Sequence, residues 1–530
     1  MTQIAIQPKI QQDFTYKNNN KQQNFKGIGD ALTLGLQACD QFPMVGVSVV
    51  DLTSTIIPRT LVDAKTGPAA AMETFRRESS GLVVNCLMPS FFVLGMAKLL
   101  NKPMMKAFND LDMSGSWANQ DSINKFSEIF SKATPHNKTK SYIAKTLASL
   151  EGFGHEADGA NNFVSFSKKF GTENFKKAIN MLTETIDNPV PNKETKKVLS
   201  EVYKLIVDET KAAEVIRFKG DAKAFSSGLS DILRDSVDLG RKFVHKKEVT
   251  ANLDGFKKAA TKMVNTKSVL GLAVVFPIAI SMQAINRYLT RKKYNVKGAP
   301  IYKDFGKNKE QKEMTPQEKS KFFAYKCLAA AGMVGLAVTS MMKKPSMKMF
   351  QFKGMFPTVD QCRWIATATI ASRFFAAEDK NELRESVVRD TTCFAGLYFL
   401  GDYVAKAAAT LIEKVKPDVK LINRLKADVK TDNIPKRLWN WVSNYKLKSF
   451  DEVATKEAKN FRSVCQLANI GFAIAVLGVL LPVYNRKVTD KKVAKEQAAE
   501  LEAKKAQKPV SGMLFEDIPK AFTGFEKYTK

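Results

Sequence analysis

SVLGLAVVFPIAISMQAINRYL, residues 268–289, decides how this chain is read. Its first fifteen residues carry no charge, and its apolar positions surround the helix instead of forming one stripe. That pattern belongs to a buried or lipid-facing helix. A helix crossing roughly 30 Å of hydrocarbon needs about 20 mainly apolar residues, and this stretch is long enough. A second such stretch, LANIGFAIAVLGVLLPVY at 467–484, meets no charge until Arg486.

Both stretches end alike. Asn286-Arg287 is followed by Thr290-Arg291-Lys292-Lys293, and Asn485-Arg486 by Thr489-Asp490-Lys491-Lys492. Basic residues gather on the cytoplasmic side of membrane helices, so both ends are expected there, with an even number of crossings between them. Seven stretches are candidates: 42–57, 81–100, 268–289, 323–342, 363–377, 390–411 and 463–484. The fourth to seventh supply four crossings, which agrees with counting the short fifth. Gly332, Gly335 and Ala329 to Ala331 would let helices approach closely.

A short internal match adds to this. RESSGLVVNC (Arg77 to Cys86) and RESVVRDTTC (Arg384 to Cys393) share Arg, Glu, Ser and Cys at the same spacing. Each runs on into Leu-Gly and Ala-Lys, at Leu94-Gly95 and Ala97-Lys98, then at Leu400-Gly401 and Ala405-Lys406. Val50-Asp51 likewise matches Val359-Asp360. Segments one to three then correspond to five to seven. A three-span unit ends opposite its start, so segment four is the extra crossing that keeps both copies parallel, an arrangement found in transporters.

The expected fold is all-α: a multi-span helical membrane protein with a parallel internal repeat and an inserted polar helical domain. The division is a polar segment 1–41, a first apolar pair 42–100, the insertion 101–262, and helices three and four at 263–343. Helices five and six follow at 344–411, then a polar helical connection 412–462, a last apolar helix 463–489 and a charged tail 490–530. Within the insertion, Phe175, Ala178, Ile179, Leu182 and Ile186 share one helix face, as do Val198, Leu199, Val202, Tyr203 and Ile206. Asn188-Pro189-Val190-Pro191-Asn192 breaks between them, because proline lacks the donor a helix needs. EGFGHEADGA, 151–160, reads as a flexible connection, and 491–508 as a solvated helix.

Composition bounds the function. The chain of 530 residues has 83 Lys and Arg against 53 Asp and Glu, a formal charge of +30. Such an excess suits an anionic partner. No zinc-finger spacing or RNA-binding motif accompanies it, so the expected partner is a bilayer with anionic headgroups, not nucleic acid. Protein partners would dock through 101–262. A mean hydropathy of −0.22 keeps a large soluble helical protein open as the plainer alternative. The first forty residues are polar and argue against a cleaved secretory signal. Six scattered cysteines read as buried free thiols.

Candidate sites are few. Asp110, Asp112, Ser114 and Gly115, with Asp121 at the twelfth position, resemble an EF-hand calcium loop: oxygen ligands at alternate positions, and a glycine for the sharp turn. Asp at position twelve is shorter than the usual bidentate Glu. The alternative is an acidic turn with Asp121 or Ser122 capping the next helix. Calcium is the one cofactor suggested. Asp51 and Asp402 lie within apolar segments. A mid-membrane charge costs roughly 2.5–3.5 kcal/mol, so such acids are candidates for a cation or proton site. Arg76, Arg77 and Glu78, with Arg384 and Glu385, precede spans two and six as gates, headgroup contacts or plain interfacial charges. Lys98 and Lys406 would extend toward water along the helix surface. No phosphate loop, nucleophile elbow or HExxH motif is present, so no enzyme class is indicated. The reading is a multi-pass membrane protein, transporter-like, or alternatively a membrane-associated scaffold.

Overall fold

The computed structural model describes five positions between 32 and 39, together with residues 43–155, 161–295, 314–341, 347–425 and 432–506 except positions 222, 353, 355 and 454. Most of 1–41, residues 156–160 and the tail beyond 506 lie outside the described residues. Helices make up 79% of the structure and the sheets are small, so the chain is all-α.

Helix α1 runs Pro43–Asp51, Leu52–Ile56 and Ile57–Ala64 without a break. Its middle five residues form a π turn, and Thr53 and Ser54 donate to the carbonyls of Val49 and Val50 at 2.7 and 2.6 Å. Their hydroxyls satisfy carbonyls that the wider turn loosens. Helix α2 follows through Pro68–Leu82, a π turn at Val83–Leu87 and Met88–Met105. Gly67, at φ +150°, makes the turn between them, with proline at the start of α2.

The polar region read as an insertion comes next: α3 (Gln120–Ser131), α4 (Lys138–Ala148), α5 (Glu173–Asp187), α6 (Asn192–Thr210), α7 (Leu229–His245) and α8 (Lys247–Ala251). Both helical faces read from sequence occur here, in α5 and α6. Residues 151–155, however, are not a flexible connection. They belong to β1 (Leu150–His155), paired antiparallel with β2 (Asn161–Ser165) and β3 (Ile216–Phe218) in the order β2-β1-β3. The glycines misled because they resemble loop punctuation. Gly152 is there for packing: a Cβ on it would lie 2.3 Å from that of Ala212 and 2.9 Å from Phe166.

Phe130, Tyr142, Phe243 and Phe256 join at the centre of this region, with ring centroids 4.9 Å apart for Phe130–Phe243 and 5.9 Å for Phe243–Phe256. The same core extends to the beginning of α9 (Leu253–Tyr294). Asp235 on α7 is buried beside Arg234, whose Nη2 bonds it at 2.8 Å. Burial pushes its carboxyl up to about 6 from 3.8, outweighing the pull of Arg234. A raised carboxyl binds protons more tightly folded than unfolded, so stability falls as pH rises from about 4 through 6 and is level above. The protection of α7 amides in wild type relative to Asp235→Asn is therefore expected to fall by roughly 2–3 kcal/mol from about pH 4 to about pH 7. Hydrogen exchange measures it, and a difference independent of pH would count against the assignment.

The remaining helices are α10 (Pro316–Met341), α11 (Val359–Ala376), α12 (Lys380–Ala395, a π turn at Gly396–Leu400, and Gly401–Val415), α13 (Ile434–Asn444) and α14 (Lys456–Ala473, a π turn at Ile474–Leu480, and Leu481–Ala506). Strands β4 (Ile422–Arg424) and β5 (Tyr445–Leu447) pair around α13.

Among the described residues five helices are long and apolar enough to cross a membrane: α1, α2, α9, α10 and α14. The stretches 363–377 and 390–411 do not qualify. Helix α11 is packed against both α9 and α10 and buries Thr367, Thr369, Ser372 and Arg373. A helix enclosed by other helices has no need of an apolar surface. Gly332 and Gly335, expected at a helix contact, have nothing within 4 Å of a Cβ position. The close crossings lie elsewhere. A Cβ on Gly271 of α9 would meet Val93 of α2 at 2.5 Å, and one on Gly401 of α12 would meet Asn469 of α14 at 2.5 Å. On Gly478 of α14 it would meet the Ser54 carbonyl of α1 at 2.6 Å.

Candidate functional site

One end of the helical body brings seven long helices together. Arg76 at the start of α2 donates to Asn286 and Thr290 near the end of α9, at 3.1 and 2.7 Å. Arg384 at the start of α12 donates to Thr489 of α14 at 2.7 Å. The end of α1 meets α14 through Asp63 and Arg486, and Lys326 of α10 donates to the Phe375 carbonyl of α11 at 2.9 Å. Consecutive long helices therefore alternate in direction.

Charges at this end form a layer between two groups of three helices, α1, α2 and α9 on one side and α11, α12 and α14 on the other. Glu78 takes Arg59 Nη1 at 3.1 Å, Arg77 Nη2 at 3.0 Å and Arg373 Nη1 at 3.5 Å. Arg373 also reaches Asp390 at 3.2 Å, which Arg389 Nε holds at 2.8 Å. Buried or partly buried pairs that join the groups include Arg373 with Glu78, Arg486 with Asp63 at 2.9 Å, and Arg287 with Glu382. Arg59 also contacts Cys393 across the same boundary. Apart from Asp63 and Arg486, which are partly exposed, these charged groups are at most 9% exposed. Charges so far from water need partners of opposite sign, and losing one partner leaves the other at full desolvation cost.

A narrow cleft opens within the layer, with room for a water-sized occupant. Arg59, Arg77, Arg389 and Arg486 line it with Asp63, Glu385 and Asn485. Arg59 Nε and Asn485 Oδ1 are buried there without hydrogen-bond partners among the described residues.

The residues read from sequence divide accordingly. Arg77 and Glu78 are inside the layer. Glu385 is buried at its edge, accepting from Thr489 at 3.3 Å. Arg384 is half-buried. Glu78, Arg384 and Glu385 thus contact neighbouring helices, while the Arg77 guanidinium holds Glu78 and Thr74 of its own helix. Asp51 is engaged by Thr55 of its own helix, Asp402 is exposed, and neither lines the cleft. Lys406 does not extend toward water. Its ammonium donates to the Trp441, Val442 and Tyr445 carbonyls at 3.2, 3.2 and 3.0 Å, capping the C-terminal turn of α13.

Among the described residues, the three calcium-loop carboxylates Asp110, Asp112 and Asp121 are not gathered into one cluster. Asp112 accepts from Ser114 N and Oγ at 2.8 and 2.6 Å, while Asp121 pairs with Lys348 at 2.7 Å. Positive φ occurs at Asn109 and Asp110 and not at Gly115, where a calcium loop turns. The cap on α3 is Asn119, not Asp121 or Ser122. Among the described residues no cluster of three His, Cys, Asp or Glu is placed to hold a metal.

Arg59, Asp63, Arg373, Arg389 and Asp390 are not among the residues the sequence singles out, and Arg486 is read there only as a basic flank. Their signal is in the sequence: arginine and acid at the edges of the apolar stretches, as in Arg389-Asp390 beside 390–411. Single-helix patterns do not say which charges face each other. No family model, curated protein or solved structure matches the chain.

Proposed function

We propose that the protein is an integral membrane protein whose seven long helices cross the bilayer, with the ion-pair layer at its cytoplasmic end. One observation carries this reading: burial is inverted in the helical body. Leu61, Phe91, Leu99, Leu328 and Leu480 are exposed there, while Glu73, Arg77, Arg287, Glu382, Arg389 and Asp390 are buried. Among the described residues of 101–267 no large apolar side chain is exposed, so the insertion has an ordinary aqueous surface. An apolar surface this extensive needs a non-aqueous partner.

A parallel duplication is supported by reciprocal packing. Within each group the second helix packs on the third: α2 on α9, and α12 on α14. Between groups, α1 packs on α14 while α11 packs on α9. Each group also joins an arginine at the start of its second helix to the threonine after the Asn-Arg pair of its third. Two such units, joined by breakable ion pairs, have the build of a transporter.

Alkaline carbonate extraction and flotation with lipid test the insertion. Retention with the bilayer is expected, and release as a monodisperse soluble protein would overturn the reading. Transport is tested by proton or cation flux into proteoliposomes. Flux equal to that of protein-free vesicles would return the scaffold reading, which the water-sized cleft favours.

A further inference from the structure

Helix α13 has an apolar face that the described residues cover only in part. At about 100° per residue, Ile434, Pro435, Leu438, Trp439, Trp441 and Val442 share one side of its wheel, with Lys436, Arg437, Asn440 and Ser443 opposite. Ile434, Leu438 and Trp439 are 69%, 59% and 62% exposed. The helix is nevertheless held firmly. Lys406 caps its last carbonyls, and Trp441 Nε1 donates to Thr410 of α12 at 3.1 Å. Next to Thr410, and one turn beyond it, Leu411 and Val415 are 65% and 80% exposed. Open apolar surface therefore runs along the outer face of α12 to the site where α13 is anchored.

We propose that α13 is an interfacial helix that lies on the bilayer surface at the insertion end of the molecule, its Ile434, Leu438 and Trp439 edge entering the acyl boundary and its basic side facing anionic headgroups. Two observations choose lipid as the occupant. The patch continues the apolar surface of α12 instead of standing alone. Exposed Lys414, Lys420, Lys436 and Arg437 surround it, against exposed Asp418 and Asp432, a balance that complements an acidic surface. Tryptophan suits this depth, because its ring is apolar and its N–H polar. The insertion end is fixed by contacts: Glu452, after β5, accepts from Ala213 N and Glu214 N of the insertion at 3.3 and 3.1 Å.

This rests on the membrane reading above, and the test separates the two. A spin label is placed at Leu438→Cys, at Trp439→Cys, and at Phe91→Cys on α2, each in a full-length Cys327→Ser background. Power saturation then compares oxygen with a water-soluble nickel chelate in phosphatidylcholine vesicles with and without phosphatidylglycerol. Several-fold greater accessibility to oxygen than to nickel is expected at all three sites, with Lys436→Glu and Arg437→Glu together reducing the ratio at Leu438 in phosphatidylglycerol vesicles. Nickel access at 438 and 439 with protection at 91 would overturn the interfacial helix alone. Nickel access at all three would overturn the membrane reading and this one with it. Protection from both reagents at 438 and 439 would place protein on the helix and also overturn the proposal.

Discussion

Glu78→Leu is expected to destabilise the folded protein by about 3–5 kcal/mol, the usual cost of removing one member of a buried ion pair. Leucine has nearly the right volume, so the loss is electrostatic. Arg59 and Arg77 keep their positions with no carboxylate between them, while Arg373 retains Asp390. The comparison is Glu128→Ala, which breaks an exposed pair with Lys132 and should cost no more than about 1 kcal/mol. Thermal unfolding of the detergent-solubilised protein, followed by loss of monodispersity, reads both. Adding Arg59→Met to Glu78→Leu should recover part of the loss, since neutralising a stranded charge restores the balance. If Glu78→Leu and Glu128→Ala unfold together, the layer does not hold the two helical groups.

Phe243→Ala is expected to cost about 3–5 kcal/mol as well, by a different mechanism: lost transfer energy and a cavity that the aromatic cluster cannot collapse into. Phe243 has no exposure and touches the rings of Phe130, Tyr142 and Phe256. Because these contacts all lie within the insertion and the beginning of α9, the loss should be local. Hydrogen exchange should accelerate in α3, α4, α5 and α7 and remain unchanged across 269–289. Equal acceleration in that apolar half of α9 would show that the insertion does not fold as its own unit.

The legible parts of this protein were those written at short range. Apolar residues all round residues 268–289 and 467–484 announced two long helices, and both occur within α9 and α14. The 3.6-residue spacing of Phe175 to Ile186 and of Val198 to Ile206 marked α5 and α6, with the two prolines at their junction. The glycines in 151–155 pointed the wrong way because local composition cannot distinguish a glycine needed for freedom from one needed for space. Gly152 is of the second kind, and only its neighbours Ala212 and Phe166 say so.

Helix formation, the two polar regions and the basic ends followed from the sequence by itself, because hydrophobic periodicity and charge act over a few residues. What each charge does was decided by tertiary structure. Arg77 and Arg384 occupy matched positions in the two similar stretches of sequence, yet one is deep in an ion-pair layer and the other half-buried against Thr489. Lys406 reads as a cation beside water and is instead the cap of another helix, thirty-five residues on for its Trp441 carbonyl. Coulomb and hydrogen-bond energies depend on distance in space and on access to water. For residues hundreds of positions apart, such as Asp63 and Arg486, packing alone determines both.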